Sequence, residues 1–349
     1  MKQFFYLISL SLLSTNGFSQ DIHFAQSSQT PLLINPGATG VYDGWERVII
    51  NHRNQWLGAN TQFMTTAIAA DVNFLKTELN DKPHLGLGLF FYNDIGGDSK
   101  FGNQTGAVSL SGIIPFNRTG HVLSVGIQGG VGHRKASLES VSFMSQWNGT
   151  QFDPQILSGE NNTLSSFTYL DASAGVNYVF NGGKSTFKRN NNFKLKIGVA
   201  GYHLNNPKMK YVNGSGDRLH RKYVGHLGVE TDLGGSKMAL EVNAVQFVQG
   251  GHYESLLGVL LKYRLEGNTK LTGFRQDAFI GIGCYTRIKD AIIPAVMLDY
   301  KGFQFGISYD VTVSKLRQAY KGGSLEFSLA YTNRNTALFT KRRGGGKKF

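Results

Sequence analysis

From Leu85 the chain reads LGLGLFFY, and this two-residue rhythm constrains the fold more than any other feature. Side chains alternate faces along a strand, so Leu85, Leu87, Leu89 and Phe91 share one side, with Gly86, Gly88, Phe90 and Tyr92 on the other. A run of NDIGGDSKFGN follows, dense in residues that reverse a chain. The alternation resumes over 104–114, where Val108, Leu110 and Ile114 oppose Ala107, Ser109 and Ser111. One greasy face and one small or polar face is the pattern of a transmembrane β-barrel, with lipid outside and water inside. A single hairpin would suit a soluble sandwich equally well. Recurrence along the chain separates the two.

The same code returns at 47–57, 62–75, 121–134, 168–180, 193–204, 223–233, 237–248, 253–265, 278–288, 292–300, 303–312 and 324–333. It is cleanest where Phe303, Phe305, Ile307, Tyr309 and Val311 alternate with Gln304, Gly306, Ser308, Asp310 and Thr312. The fold class read from this is all-β. About fourteen strands of roughly ten residues suit a single-chain, antiparallel, up-and-down barrel of the bacterial outer membrane. An even number places the N- and C-termini together in the periplasm, and connections after odd-numbered strands then face outward. The two longest, 136–166 and 205–222, fall there, as do 93–102 and 314–323; the turns at 116–120, 234–236 and 301–302 fall inside and are short. The segments 181–192 and 265–276 are long exceptions.

Residues 1–19 read as a secretory signal: Lys2 is basic, Phe4 to Leu13 is apolar, and Gly17 and Ser19 supply small residues for cleavage. The mature chain is expected to start at Gln20, with a periplasmic prologue or plug over 20–43, the barrel over 44–334 and a basic tail over 335–349. One cysteine, Cys284, excludes an intrachain disulfide; it reads as a small apolar wall residue beside Ala278, Ile280 and Ile282. With 44 glycines, 7 prolines and 41% hydrophobic residues, the chain is too apolar for a disordered glycine-rich segment. The net charge of +13 is spread over 184–196, 208–222 and the tail rather than gathered in one patch. No nucleic-acid motif accompanies it, so anionic lipid or an acidic protein is the expected partner, and nucleic acid is not.

Catalytic signatures are missing from the sequence: there is no HExxH, CxxC, P-loop or GxSxG. Histidines 84, 121, 133, 203, 220, 226 and 252 share no ligand spacing and read as polar residues of the lumen or rim. Interior carboxylates Asp71, Asp171, Glu230, Asp232, Glu241 and Asp310 are expected to face interior arginines and lysines, as structural pairs. No enzyme activity, cofactor or metal is expected.

Between signal and first strand lies DIHFAQSSQTPLLINPGATGVYDG. Its Asp21, Phe24, Gln26, Asn35, Pro36, Gly37 and Gly40, followed by Asn51, Arg53, Gln55 and Trp56, resemble the opening of the PorP/SprF family of type IX secretion outer-membrane proteins. The ending RRGGGKKF keeps the terminal Phe349 but departs from that family's Cys-Pro-Arg-Phe-like tail. The resemblance implies a non-enzymatic barrel of the secretion and gliding apparatus. Its implied partners are the C-terminal domain of a secreted adhesin, periplasmic ring components and outer-membrane lipid. The alternative is a passive porin or a channel for hydrophobic ligands.

Two candidate partner-binding places follow. Asn35-Pro36 initiates a turn and holds Asn35 extended; residues 21–43 either enter the barrel from below, or plug its periplasmic mouth or dock a periplasmic partner. Loop 136–166 carries Phe143, Met144, Trp147 and Phe152 among polar residues, and such aromatics anchor a partner or pack on the barrel wall.

Overall fold

The computed structural model describes residues 21–55, 63–77, 82–97, 101–116, 120–135, 141–159, 166–182, 193–210, 216–234, 237–266, 278–314 and 322–334. The signal over 1–19, the tail over 335–349 and Trp56 lie outside these residues.

Among them, fourteen strands close into one antiparallel ring. They are β1 Glu46–Gln55, β2 Phe63–Phe74, β3 His84–Gly96, β4 Phe101–Phe116, β5 His121–Lys135, β6 Phe167–Gly182 and β7 Phe193–Tyr202. The second half comprises β8 Lys222–Asp232, β9 Met238–Gln249, β10 His252–Glu266, β11 Ala278–Arg287, β12 Ala291–Tyr300, β13 Phe303–Thr312 and β14 Ser324–Asn333. Each strand pairs with its sequence neighbours, and β1 closes on β14 from Glu46↔Asn333 to Gln55↔Ser324. A closed ladder has no edge, which is why a sheet tolerates hydrocarbon only in this form.

The alternation maps onto the wall as the sequence predicts. In β13, Phe303, Phe305, Tyr309 and Val311 are exposed outward while Gly306, Ser308 and Asp310 are buried. Cys284 is exposed on the same outer face as Ile280 and Ile282, but Ala278, at the strand's start, is buried. The turn-rich run 93–103 is shorter as a turn than its composition implies. β3 and β4 stay paired through Asn93↔Gln104, Asp94↔Asn103, Ile95↔Gly102 and Gly96↔Phe101, because ladder partners satisfy the backbone despite poor strand formers. At the opposite end, Lys301 and Gly302 take φ of 52° and 87°, the two-residue turn whose twist matches that of the strands it joins.

The two ends are termed the base, with Glu46, Asn333 and the 301–302 turn, and the crown, with segments 141–159, 203–210 and 216–221. Residues 21–45 do not lie outside the ring. They descend its lumen, from Asp21 beside Gln249 at the crown to Trp45, whose amide donates to the Asn333 carbonyl at the base. Asp21 and Arg334 therefore lie at opposite ends of the ring, and the chain termini themselves lie outside the described residues. A prologue longer than a turn has to occupy some volume, and the lumen offers it one lined with partners.

Inside, the prologue folds into a 3-10 turn at Ser27–Gln29, the one-turn helix α1 at Pro31–Ile34 and a second 3-10 turn at Pro36–Ala38. Its apolar side chains make the core. Phe24, Leu32 and Leu33 pack on Ile49, Ala67, Ala69, Phe90, Tyr92 and Ala330. Ala25 and Ile34 join a cluster that includes Tyr202, Val224, Phe247, Leu260, Tyr285 and Ile293.

The outer face makes a direct prediction. Ile127 is 62% exposed at the middle of β5, opposite Leu110 and Ala174. Ile127→Arg should cost about 2–4 kcal/mol in lipid vesicles, the range for a cation at the bilayer midplane. Ile127→Leu should be near neutral by the same denaturant titration.

Candidate functional site

The lumen contents are the most constructed feature of the molecule, and they are assembled from the prologue outward. Near the crown, the Glu326 carboxylate of β14 accepts the amides of Ala25 and Gln26 at 2.8 and 2.9 Å. The Gln26 side chain is pinned between two hydroxyls, donating to Ser308 at 3.1 Å and accepting from Ser328 at 2.7 Å. Asn51 donates to the Gln29 carbonyl and Arg53 to that of His23, at 3.0 and 2.9 Å. Arg53 is thus a direct support of the prologue.

Halfway down, the predicted turn is seated against β5, β6 and β8. Proline geometry holds Asn35 extended, at φ −158° and ψ 118°. Its amide donates to the Val176 carbonyl at 2.9 Å and to His226 Nε2 at 3.1 Å, while its carbonyl oxygen accepts from Gly37 N at 2.8 Å. The wall yields space here. A Cβ at Gly126 would collide with the Pro36 carbonyl, and one at Gly175 with the Asn35 side chain. Hydroxyls occupy what is left: Ser124 donates to the Gly37 carbonyl and Ser111 to the Thr39 carbonyl, both at 2.6 Å. The small polar face of the β3–β4 hairpin, read as facing water, faces this backbone instead.

At the base Asp71 gathers three contacts. It accepts from Gly40 N at 2.8 Å and pairs with both Nε and Nη2 of Arg47, at 2.9 and 2.7 Å. A two-pronged Arg–carboxylate pair fixes direction as well as distance. All six expected interior carboxylates meet a base, with Lys262 serving both Glu230 and Glu241, Arg264 serving Asp232, and Arg53 and Arg287 serving Asp310. Asp171 differs from expectation only in its partner, which is a histidine.

That histidine is His203, the residue after β7, held between two acids at the crown. Nε2 lies 2.5 Å from Asp21 and Nδ1 lies 2.9 Å from Asp171. Arg134 and Lys222 stand 3.8 Å from Asp21 on either side. Burial alone would lower the His203 pKa, but the carboxylates of Asp21 and Asp171 outweigh it and push it up to about 9. Burial would raise Asp21, yet His203, Lys222 and Arg134 hold it well below the usual carboxylate range. His23 is the opposite case: burial, then Arg53, Arg287 and Lys222, drive its pKa well down. Sequence spacing gave no hint of the Asp21–His203–Asp171 set, because only barrel closure unites residues so distant in the chain. Among the described residues, no group of three or more His, Cys, Asp or Glu is arranged to hold a metal.

The predicted aromatic loop sits elsewhere. Residues 141–159 form a small hairpin of their own, with Trp147 and Phe152 bridged across it and Asp153 N donating to the Gln146 carbonyl at 2.9 Å. Trp147 is 55% exposed and Phe152 40%, with Met144 at 91%. Phe143 is half-buried. Asn35 and Pro36, by contrast, lie fully within the lumen, and the two candidate places form no joint site.

The crown pairing carries a pH dependence. His203 has a folded pKa above its ordinary 6.5, so the stability it lends is fully present below that value and is lost as pH rises through about 9. Asp21, with a depressed pKa, loses its share only in strong acid. The amide-exchange protection factor at residues 21–26, with the intrinsic base-catalysed rate divided out, should therefore fall between about pH 7 and about pH 10. His203→Gln, which carries no titrating proton, should abolish that step.

The sequence matches the family model described as "Type IX secretion system membrane protein PorP/SprF" over residues 16–331. No curated protein matches it. Among solved structures, the Ralstonia pickettii toluene transporter TbuX is 10% identical, with 88% of this chain and 94% of that chain covered and a TM-score of 0.48. The β domain of the Bordetella autotransporter BrkA is 9% identical, with 83% and 98% covered and a TM-score of 0.43. Haemophilus ducreyi BamA is 8% identical, with 83% and 70% covered and a TM-score of 0.42. Likenesses of this size carry no argument about the present chain, whose barrel stands on its own strand pairing. The family match spans nearly all of that barrel: the chain belongs to the PorP/SprF family of type IX secretion system membrane proteins and is an integral β-barrel of the outer membrane.

Proposed function

We propose that this barrel is a non-enzymatic holding station of the type IX secretion and gliding machinery, escorting or retaining a large exported adhesin by its C-terminal domain. The observation that supports it best is the occupied lumen. Residues 21–45 run through the bore and are held there by apolar core and wall-to-prologue hydrogen bonds, which suits a barrel that works at its ends rather than as a conduit. In this reading the crown faces outward, since outer-membrane barrels carry their longer loops there. The exposed Trp147 and Phe152 then meet the adhesin, and the base meets the periplasmic ring. A passive porin or hydrophobic-ligand channel is the competing function.

Conductance separates the two. The purified barrel in planar bilayers should show almost no steady current and its liposomes no size-graded sugar flux; rapid graded flux would favour the porin.

The aromatic pair tests the holding role. Trp147→Ala with Phe152→Ala should remove a buried anchor of about 2 kcal/mol or more from the complex. The variant barrel should insert and remain heat-modifiable on gels while its adhesin is shed into the medium. Retained adhesin with a heat-labile barrel would assign both aromatics to folding.

A further inference from the structure

Beside the aromatic hairpin, the crown carries a second hairpin of different chemistry. Between β7 and β8 the segment 207–221 reads PKMKYVNGSGDRLHR, with four Lys or Arg against one Asp. Lys208 pairs with Arg218 across it as an isolated bridge, Met209 N donates to the Asp217 carbonyl at 2.8 Å and Leu219 N to the Pro207 carbonyl at 2.9 Å. Leu219 is buried against Phe167 and Tyr169, with Met209 packed on the same cluster. Phe167 and Tyr169 point into the lumen, since they share the parity of Asp171 and Ser173 on β6. The hairpin is therefore moored over the mouth of the barrel rather than splayed over the lipid belt. Its Lys208, Arg218 and Arg221 remain exposed.

We infer that the basic pair of segments 207–210 and 216–221 and the aromatic hairpin 141–159 form one docking surface for a protein domain that presents an acidic face beside an apolar patch. Ring order supports their adjacency: the aromatic hairpin joins β5 to β6, the basic one joins β7 to β8, and β6 pairs directly with β7. The division of labour is the usual one at interfaces. Desolvated aromatics carry affinity, and rim cations steer encounter and select a partner of opposite charge. Mooring over the lumen favours a protein over lipopolysaccharide, whose phosphates lie at the lipid belt. The inference rests on the crown being the partner-holding end, as proposed above, and adds what that partner must look like.

Whole-cell photo-cross-linking tests it. Thr150 is exposed at the tip of the aromatic hairpin, and a side chain at Gly216 would meet nothing within 4 Å. Thr150→Cys and Gly216→Cys, each in a Cys284→Ser background, are labelled with a thiol-reactive benzophenone and irradiated. Both positions should cross-link one and the same polypeptide, through peptides rich in Asp and Glu at position 216. Lys208→Glu, Arg218→Glu and Arg221→Glu together should lower the cross-link at position 150 roughly tenfold, as expected for three rim charges reversed, and so should high salt. Lysine at positions 218 and 221 should leave it unchanged. A lipopolysaccharide ladder at 216, different polypeptides at the two positions, or a yield indifferent to charge reversal would overturn the shared surface. If one acidic polypeptide is captured at both positions but is not an exported adhesin, the surface stands and the adhesin reading falls.

Discussion

Every backbone amide and carbonyl that the prologue carries into the lumen must find a partner there, and this requirement shapes the wall. A buried polar group left unpaired costs about 1–3 kcal/mol. Glu326 serves two successive amides, Ser124 and Ser111 each cap a carbonyl, and Tyr202 donates to the carbonyl of Leu32. Where a side chain would intrude, the wall has glycine, as at Gly126 and Gly175. The interior is thus a mould of one particular segment rather than a generic polar channel.

Charge within the mould is distributed to the same end. Paired charges in a poorly hydrated interior contribute little net stability, because desolvation cancels much of the attraction. They do penalise misplacement, since a shift of one residue would take the Gly40 amide from Asp71 and the Ala25 and Gln26 amides from Glu326. The prologue is fixed at both ends in this way, by the Gly40 amide on Asp71, which Arg47 orients, at the base and by Asp21 with His203 at the crown. Between them the hold is mostly hydroxyl and amide. The crown latch is the one end whose chemistry responds to mild alkali, and it lies under the hairpins assigned to partner docking.

The wall was legible in the sequence because lipid imposes one rule on every outward side chain, and that rule repeats at period two. The lumen was not. Gly86, Gly88, Ser109 and Ser111 have the same composition whether they face water or a tightly packed backbone, so the alternation alone favoured water. His203 looked like one of several scattered histidines, since Asp21 and Asp171 reach it only through ring closure. The carboxylate pairs were foreseeable because an interior acid has few other options. Asn35-Pro36 marked a turn correctly but not its depth, which depends on glycines of β5 and β6 far along the chain.

A closed ring has no side door. The β1–β14 seam follows the prologue directly, beginning at Glu46, yet residues 21–45 bind Asp71 on β2, Ser124 on β5 and both Ser308 and Glu326 on the last two strands. The segment made first therefore touches the strands made last. A sheet curling toward closure has to wrap around this peptide as cloth winds on a spindle, or else admit it endwise through a narrowing bore. Winding orders the events: the spindle is seated before the final seam is drawn, and it presents the arriving β13 and β14 with a surface already matched to them.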